Sequence, residues 1–239
     1  YYVKSTVFFN DMTVRDPSTG QVLWRRGGVL RAEFTPDGQI LAANGTALVR
    51  LEAATGNVRQ TLPPLRADVF NMVVSPDGSS LFYTPWRGMV VRGVRLADGA
   101  TFFERPITDG SGSWASVGLT ADGQRVIGAV TDDEHKTMVR VWDTATGVQL
   151  HTLRGHYGQI EGMAVHPLSE EVVVTAPETR SWSLAGRAPA WQLPGYKGAA
   201  VFVGSDDVFA PSGVPLRLDG NGEWKDRVGT LPPGWEGAG

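Results

Sequence analysis

The sequence has no cysteine among its 239 residues. Disulfide bonds and thiolate metal sites are therefore excluded, and cysteine usage cannot reveal the redox compartment. Apolar runs are also short. Stretches such as Val172–Val174 fall far below the roughly 20 residues that a membrane-spanning helix needs. We therefore expect no insertion into a membrane.

A basic excess is missing as well. Lys and Arg number 22 against 25 Asp and Glu, which gives a formal net charge of −3. Surfaces that bind nucleic acids or anionic membranes usually carry a basic excess, so neither partner is expected. No signal peptide is visible, and the chain opens on Tyr1 and not on Met. We expect a trimmed piece of a longer protein, whose upstream domains are candidate partners, in an undetermined compartment with the cytoplasm favoured.

Helical periodicity is the third absence, since no stretch keeps the i, i+3, i+4, i+7 pattern for more than about a turn. What recurs instead is an apolar segment followed by a tight turn. Pro-Asp-Gly stands at 36–38 and 76–78, and Ala-Asp-Gly at 121–123, with degenerate copies at 164–169 and 202–206. Pro fixes φ, Asp accepts a local hydrogen bond and Gly takes positive φ, so this composition predicts hairpin turns.

A second turn, which ends in glycine, alternates with the first. The glycines that close it are Gly20, Gly56, Gly99, Gly147, Gly186 and Gly222. They are spaced about 40 residues apart, and four short strands in each repeat of that length are typical of a β-propeller.

The most distinctive copy of the repeat lies at about residues 137–167. Val139 to Asp143, with the Trp-Asp pair at its end, is followed by the turn at Gly147 and by Gly155-His156. This run resembles the third strand, Trp-Asp dipeptide, turn and Gly-His pair of the WD40 repeat family. The other copies keep the turns and lose these signatures, and a related bacterial repeat with Ser-Pro-Asp-Gly turns would look much the same.

The resemblance implies an all-β fold, a WD40-like β-propeller of about six four-stranded blades. An incomplete seven-bladed ring is the alternative. We expect one domain over 1–228 and a flexible tail over 229–239. A partial first blade spans 1–27, and the full blades span 28–65, 66–108, 109–154, 155–195 and 196–228.

In WD40 blades the histidine of the Gly-His pair joins a buried hydrogen-bond relay to a tryptophan. The resemblance places His156 at the start of such a relay, with Thr175 and Trp182 as partners and Glu178 near the position of the family's aspartate. A metal or catalytic role for His156 is the less favoured alternative. Trp142, Asp143, His156 and Trp182 are thus expected to serve structure, because a satisfied buried polar network fixes the register of a blade.

Other polar clusters give no convincing chemistry. The acidic segment 132–135 contains hard-cation ligands but matches no calcium-loop spacing. The glycine-rich segment 109–113 lacks the Gly-Lys-Ser/Thr that cradles phosphate. No Gly-x-Ser-x-Gly nucleophile elbow is present. We expect no metal, no cofactor and no catalysis.

The expected partner is a protein or peptide that binds the propeller face carrying the d–a and b–c loops, because these loops vary from blade to blade. Loops on a rigid scaffold are common recognition sites, and Trp, Tyr and Arg are enriched at binding hot spots. The candidate binding residues are Arg66, Trp86, Arg87, Arg154, Tyr157, Arg180, Tyr196 and Lys197. We hypothesise a non-catalytic interaction scaffold in a larger multidomain protein, with packing of Trp86 inside its own blade as the competing interpretation.

The alternative function is a propeller enzyme, or a binder of small ligands or ions, that works at the central channel. Such a site needs several charged or histidine side chains on the inner strands. The predicted inner strands carry only Arg31, Glu33 and Glu161 as charged residues, which favours the scaffold.

Overall fold

The computed structural model describes a chain of β-strands and turns. The described residues are 2–6, 11–16, 19–110, 112–132, 134, 136–166, 170–184, 191–194, 201–203, 207–209, 215–218 and 224–226. This part of the chain is free of helix, which confirms the all-β prediction. It accordingly holds no helix long and apolar enough to cross a membrane.

The described strands form six antiparallel sheets, numbered here in chain order, each built from consecutive strands. Sheet 1 has three strands: β1 (Tyr2–Thr6), β2 (Asp11–Arg15) and β3 (Val22–Gly27). Sheet 2 contains β4 (Arg31–Phe34), β5 (Ile40–Asn44), β6 (Ala47–Leu51) and β7 (Val58–Leu62). Sheet 3 contains β8 (Val69–Val74), β9 (Ser80–Pro85), β10 (Val90–Arg95) and β11 (Thr101–Pro106).

The remaining three sheets have four strands each. Sheet 4 contains β12 (Gly112–Leu119), β13 (Arg125–Asp132), β14 (Lys136–Asp143) and β15 (Gln149–Tyr157). Sheet 5 contains β16 (Gly162–Val165), β17 (Glu171–Thr175), β18 (Glu178–Ser183) and β19 (Trp191–Pro194). Sheet 6 contains β20 (Val201–Val203), β21 (Asp207–Phe209), β22 (Pro215–Leu218) and β23 (Trp224–Asp226).

The Pro-Asp-Gly turns join the first and second strands of their sheets, as their chemistry requires. In the turn after β8, the Ser75 hydroxyl donates to Asp77 at 2.5 Å, and Asp77 also accepts the Ser79 N–H at 3.0 Å. Gly78 takes φ 71°, the left-handed region in which glycine is unstrained. The Ser75 hydroxyl, then the Ser79 N–H and hydroxyl, lower the pKa of Asp77 to about 2. A hydroxyl residue before the proline is thus part of the turn.

Asp143 has the same kind of role in the turn between β14 and β15. Its Oδ1 accepts both the Thr146 N–H and the Thr146 hydroxyl, each at 2.7 Å. These bonds, the hydroxyl first, hold the pKa of Asp143 below its usual range. The aspartate of the Trp-Asp pair therefore closes a hairpin, while Trp142 beside it is 1% exposed.

The apolar core lies between consecutive sheets and not inside any one of them. Between sheets 3 and 4, for example, Phe82 and Phe103 pack against Val126 and Trp142. Similar clusters fill the spaces between sheets 1 and 2, 2 and 3, and 4 and 5. The first strands β4, β8, β12 and β16 are also neighbours in that order. Sheets stacked face to face with their first strands side by side are compatible with a propeller.

Hydrogen bonds between side chains and backbone tie the sheets together at several levels. Trp24 Nε1 donates to the Ala53 carbonyl of sheet 2 at 2.8 Å. The Thr84 hydroxyl donates to the Ala115 carbonyl of sheet 4 at 2.9 Å. Asn71 Oδ1 accepts the Val117 N–H at 3.0 Å, which links first strands β8 and β12 directly.

Candidate functional site

One end of the sheets carries the loops that join each sheet to the next and the loops between second and third strands. We call it the variable-loop face; its described loops include 45–46, 63–68, 86–89 and 107–110. Backbone hydrogen bonds hold neighbouring loops together there. The Leu65 N–H donates to the Thr46 carbonyl at 2.8 Å, and the Trp86 N–H donates to the Asp68 carbonyl at 2.7 Å. The loop that carries Trp86 is therefore fixed to the loop that enters its own sheet.

The Trp86 loop is a tight turn with an unusual backbone. The Gly88 N–H donates to the Pro85 carbonyl at 3.0 Å, so Trp86 and Arg87 are the two central residues. Arg87 has φ 60°, and it is the single non-glycine residue with positive φ in the described part of the chain. Such a conformation costs an L residue roughly 1–2 kcal/mol, and glycine usually takes this position.

In this turn, glycine occupies position 88, where a larger residue would clash with Pro85. A Cβ on Gly88 would lie 2.9 Å from Pro85 side-chain carbons, closer than real Cβ contacts allow. The sequence thus places glycine at 88, where backbone and ring approach closely, and keeps an arginine at 87 in a strained conformation. Strain of this kind persists when the surrounding structure enforces it and is concentrated at functional sites.

Trp86 is half-exposed and lies against Phe70 on β8, the first strand of sheet 3. Its side chain is 51% exposed, and its ring centroid is 5.3 Å from that of Phe70, with the planes inclined by 55°. The Arg31 guanidinium also lies 5.3 Å from the Phe70 ring centroid. Arg31 is itself anchored, since it donates to the Leu30 carbonyl at 2.7 Å and to the Phe70 carbonyl. Phe70 is therefore held by a cation and by an indole.

A pocket of about 410 Å³ opens beside this arrangement, between sheets 3 and 4. Among the residues that the structure describes, its walls are apolar apart from the backbone and one cation, Arg87. The lining residues are Phe70, Pro85, Trp86, Arg87, Met89, Gly112 and Ala115. The sequence predicts Trp86 and Arg87 on this face and gives no such prediction for Phe70 and Met89. Its position as an aromatic residue at the start of β8 is the feature of the sequence that could have identified Phe70.

The other candidate binding residues are placed differently. Arg66 lies on the 63–68 loop and is exposed. Arg154 and Tyr157 lie within β15, and Arg180 lies within β18, so their expected placement on loops is wrong. The side chain of Tyr157 lies outside the described residues, as do Tyr196 and Lys197 entirely.

For Arg154 and Tyr157 the prediction is wrong because β15 continues through the Gly-His pair. Tyr157 pairs with Lys136 and His156 with Thr137, and the register shifts between Thr137 and Met138. Gly155, with φ 112°, accommodates that irregularity. A glycine inside a strand frequently marks such a bulge, although in sequence it looks like the end of the strand.

Within the described residues, the expected WD40-type hydrogen-bond relay does not include Trp182. The Thr175 hydroxyl donates to the Gly162 carbonyl at 3.2 Å. Trp182 is 4% exposed, and within the described residues its indole N–H has no hydrogen-bond acceptor. The side chains of His156 and Glu178 lie outside the described residues. Trp182 packs in the cluster between sheets 4 and 5.

The acidic segment after β13 supports its own turn. Asp132 Oδ1 accepts the Glu134 N–H at 2.9 Å and the Lys136 N–H at 2.8 Å, and Glu134 pairs with Lys136. Asp133 and His135 lie outside the described residues. Among the residues that are described, no cluster of His, Asp and Glu could hold a metal ion.

The glycine-rich segment at 109–113 starts with an ion pair. Asp109 Oδ2 lies 2.6 Å from the guanidinium of Arg140, whose side chain is 8% exposed. Arg140 also donates to the Pro106 carbonyl at 3.2 Å. Asp109 therefore neutralises a buried cation between sheets 3 and 4. Ser111 and the side chain of Ser113 lie outside the described residues.

The first strands carry one unusual acid. Partial desolvation by the protein atoms around it raises the pKa of Glu33 on β4 to about 7, although the residue is exposed at the surface. Burial lowers the pKa of Arg31, which precedes Glu33 by two residues on the same strand. Glu161, on the segment before β16, is exposed.

A second hollow, of about 560 Å³, lies at the opposite end, among the short turns of sheets 3 and 4. Asp77, Asp122 and Asp143 line it. Each of these carboxylates accepts hydrogen bonds inside its own turn. Their role in turn formation accounts for the acidic lining of this end.

Comparisons with known proteins inform the fold. No protein-family model matches the chain, and no curated protein matches it. Solved structures do match, and one of them is a hydrazine synthase from Kuenenia stuttgartiensis, 14% identical, with a TM-score of 0.65. The match covers 83% of this chain and 65% of that chain, so it spans slightly less than two thirds of the neighbour's length. At this identity the similarity shows a shared fold alone.

Proposed function

We propose that the chain is a WD40-like β-propeller of about six blades, with an incomplete seven-bladed ring as the alternative. Each of the sheets described above would be one blade, the three-stranded sheet 1 being the partial first blade. The domain would span 1–228, followed by a flexible tail over 229–239. The face-to-face stacking of the sheets, the adjacency of β4, β8, β12 and β16 and the structural similarity support this arrangement.

We further propose that the protein is a non-catalytic interaction scaffold whose variable-loop face binds a protein or peptide. The observation that carries this proposal is Trp86, 51% exposed beside a mainly apolar pocket of about 410 Å³. A large aromatic next to an arginine is the usual composition of an interface anchor. Arg66 lies on the same face, and further candidate binding residues from the sequence are Arg154, Tyr157, Arg180, Tyr196 and Lys197.

A site at the centre of the ring is the second candidate, and Glu33 favours it. A carboxyl group with a pKa near 7 can exchange protons at physiological pH and is a common feature of functional sites. The scaffold is preferred because the nearby cation Arg31 is already bonded to two carbonyls. If the central site is the functional one, Glu33→Gln should abolish function while Trp86→Ala leaves it intact.

The test is affinity capture with the tagged chain, followed by mass spectrometry of the proteins retained. Trp86→Ala should weaken capture of the leading partner by about 2 kcal/mol, the usual cost of truncating an anchor. Asp77→Ala on the opposite face is the matched control, which should retain capture. Loss of capture with Asp77→Ala and retention with Trp86→Ala would place the binding surface on the short-turn end. If Trp86→Ala unfolds the protein, Trp86 is a core residue and the proposal fails.

A further inference from the structure

The pocket beside Trp86 has a chemical composition that restricts its ligand. Phe70, Pro85, Met89 and Ala115 supply apolar walls. Arg87 is the one charged residue among the described lining residues, and it has no hydrogen bond or ion pair with any part of the chain that the structure describes. An unpaired cation at the edge of an apolar cavity matches a ligand that is apolar at one end and carries an anion next to it.

The pocket is also held in shape before any ligand arrives. Phe70 is fixed by Arg31 on one strand and by Trp86 on the loop, with both groups 5.3 Å from its ring centroid. Arg87 is held by the turn closed between Pro85 and Gly88. A site of fixed geometry loses less conformational entropy when it binds, so a few contacts suffice for useful affinity.

The backbone at Arg87 is the second independent indication. Glycine would relieve the strain of φ 60°, yet the chain has an arginine there. Within the described residues, the Arg87 side chain makes no hydrogen bond or ion pair that would compensate for this strain. The Arg87 side chain is exposed, so it is available to a ligand, and a guanidinium makes its strongest contacts with carboxylates.

We propose that this pocket binds an extended peptide segment in which an apolar side chain stands next to an aspartate or glutamate. The apolar side chain enters between Phe70 and Met89, and the carboxylate pairs with Arg87. The half-exposed face of Trp86 covers the adjoining peptide backbone. This inference rests on the proposed scaffold function and specifies the partner of the same site.

A peptide fits better than a free small molecule for two reasons. The pocket volume is at the low end of the roughly 300–1,000 Å³ found for ligand sites, enough for one or two side chains. Trp86, which lines the pocket, is also 51% exposed, so a chain continuing past the pocket would contact it.

The experiment is selection from a displayed library of random linear peptides on the purified chain. Enriched peptides should share a Leu, Met, Ile or Phe beside an Asp or Glu. A fluorescein-labelled selected peptide should bind at least about tenfold more tightly than its counterpart with Asn or Gln at the acidic position. Absence of enrichment, or enriched peptides without an acidic residue, would overturn the proposal. Equal binding of N-acetyl-leucine and the peptide would identify a small carboxylate as the ligand and would likewise overturn it.

Variants at Arg87 separate charge recognition from structure. Arg87→Glu should reject the acidic peptides and select peptides with Lys or Arg beside the apolar residue, an outcome that a purely structural role cannot produce. Arg87→Gly should keep or raise the melting temperature, because glycine relieves the strain, and should lose at least about tenfold in peptide affinity. Acidic peptides bound equally by parent, Arg87→Glu and Arg87→Gly would refute the assignment.

The same variants distinguish this inference from the proposed function. Partner capture that is lost with Trp86→Ala and unchanged with Arg87→Glu would leave the scaffold function standing and reject the acidic ligand. Partner capture and peptide binding that survive both changes would reject the variable-loop face altogether.

Discussion

The ring of Phe103 on β11 meets the ring of Trp142 on β14 edge to face, with centroids 6.3 Å apart and planes inclined by 82°. Phe82 on β9 makes a similar contact with Phe103 at 5.7 Å and 76°. This row of aromatic rings crosses from sheet 3 into sheet 4. Since the apolar clusters lie between sheets, the stability of each sheet depends on its neighbours.

Replacing Trp142 by alanine should lower the free energy of unfolding by about 3–5 kcal/mol, as the loss of a large buried aromatic usually does. Urea unfolding followed by circular dichroism measures this change. Leu150→Ala is the matched control, because Leu150 is 40% exposed and surface changes usually stay within about 0.5 kcal/mol. Equal stability of Trp142→Ala and the parent would contradict the packing of this residue between the sheets.

Sequence reasoning was strongest where local chemistry determines structure. The Pro-Asp-Gly and glycine-ending turns predicted the positions of hairpins, because Asp77 and Asp143 act through bonds within a few residues of themselves. It failed at Gly155, where a glycine that indicated a strand end sits inside β15. The continuation of β15 past Gly155 depends on its pairing with β14, and the residues around Gly155 carry no information about that pairing. The pocket at Trp86 likewise depends on Phe70, which only the packed sheets bring beside it.

The hydrogen bonds of Asp77 should make part of the protein's stability sensitive to acid. The Ser75 hydroxyl chiefly lowers the pKa of Asp77 from 3.8 to about 2. A lowered carboxyl pKa stabilises the folded state above the unfolded value of 3.8, and this stabilisation disappears as pH falls through 2. The stability difference between parent and Asp77→Asn should therefore be constant above about pH 5 and shrink between pH 4 and 2. Urea unfolding at several pH values tests this.

Ser75→Ala is the specific control for Asp77. Removing the hydroxyl should raise the pKa of Asp77 toward its ordinary value, which carbon-13 NMR titration of the carboxyl group reads directly. An unchanged Asp77 titration in Ser75→Ala would show that this hydrogen bond does not set the pKa.

Asp132 should stabilise the turn that follows β13, and calcium should leave the melting temperature of the protein unchanged. Asp132→Ala removes the acceptor for the N–H groups of Glu134 and Lys136, and should cost about 1 kcal/mol. The melting temperature of the parent should be the same with calcium chloride and with a chelator, because a ligand of the native state would raise it. A calcium-dependent rise in the parent that is absent from Asp132→Ala would reveal a metal site.

Glu33 should give a pH dependence of opposite sign to that of Asp77. Its pKa is raised from 4.5 to about 7, so between these values the folded state retains a proton that the unfolded state has released. Stability then falls as pH rises through this range, and the loss is complete above about pH 7. Glu33→Gln stays neutral throughout, so its stability relative to the parent should rise between about pH 5 and 8 and level off beyond. Urea unfolding of both proteins across this range tests the sign, and carbon-13 titration of Glu33 tests the pKa itself. A stability difference that does not change with pH, together with a titration near 4.5, would show that Glu33 is as well solvated as an ordinary surface carboxyl.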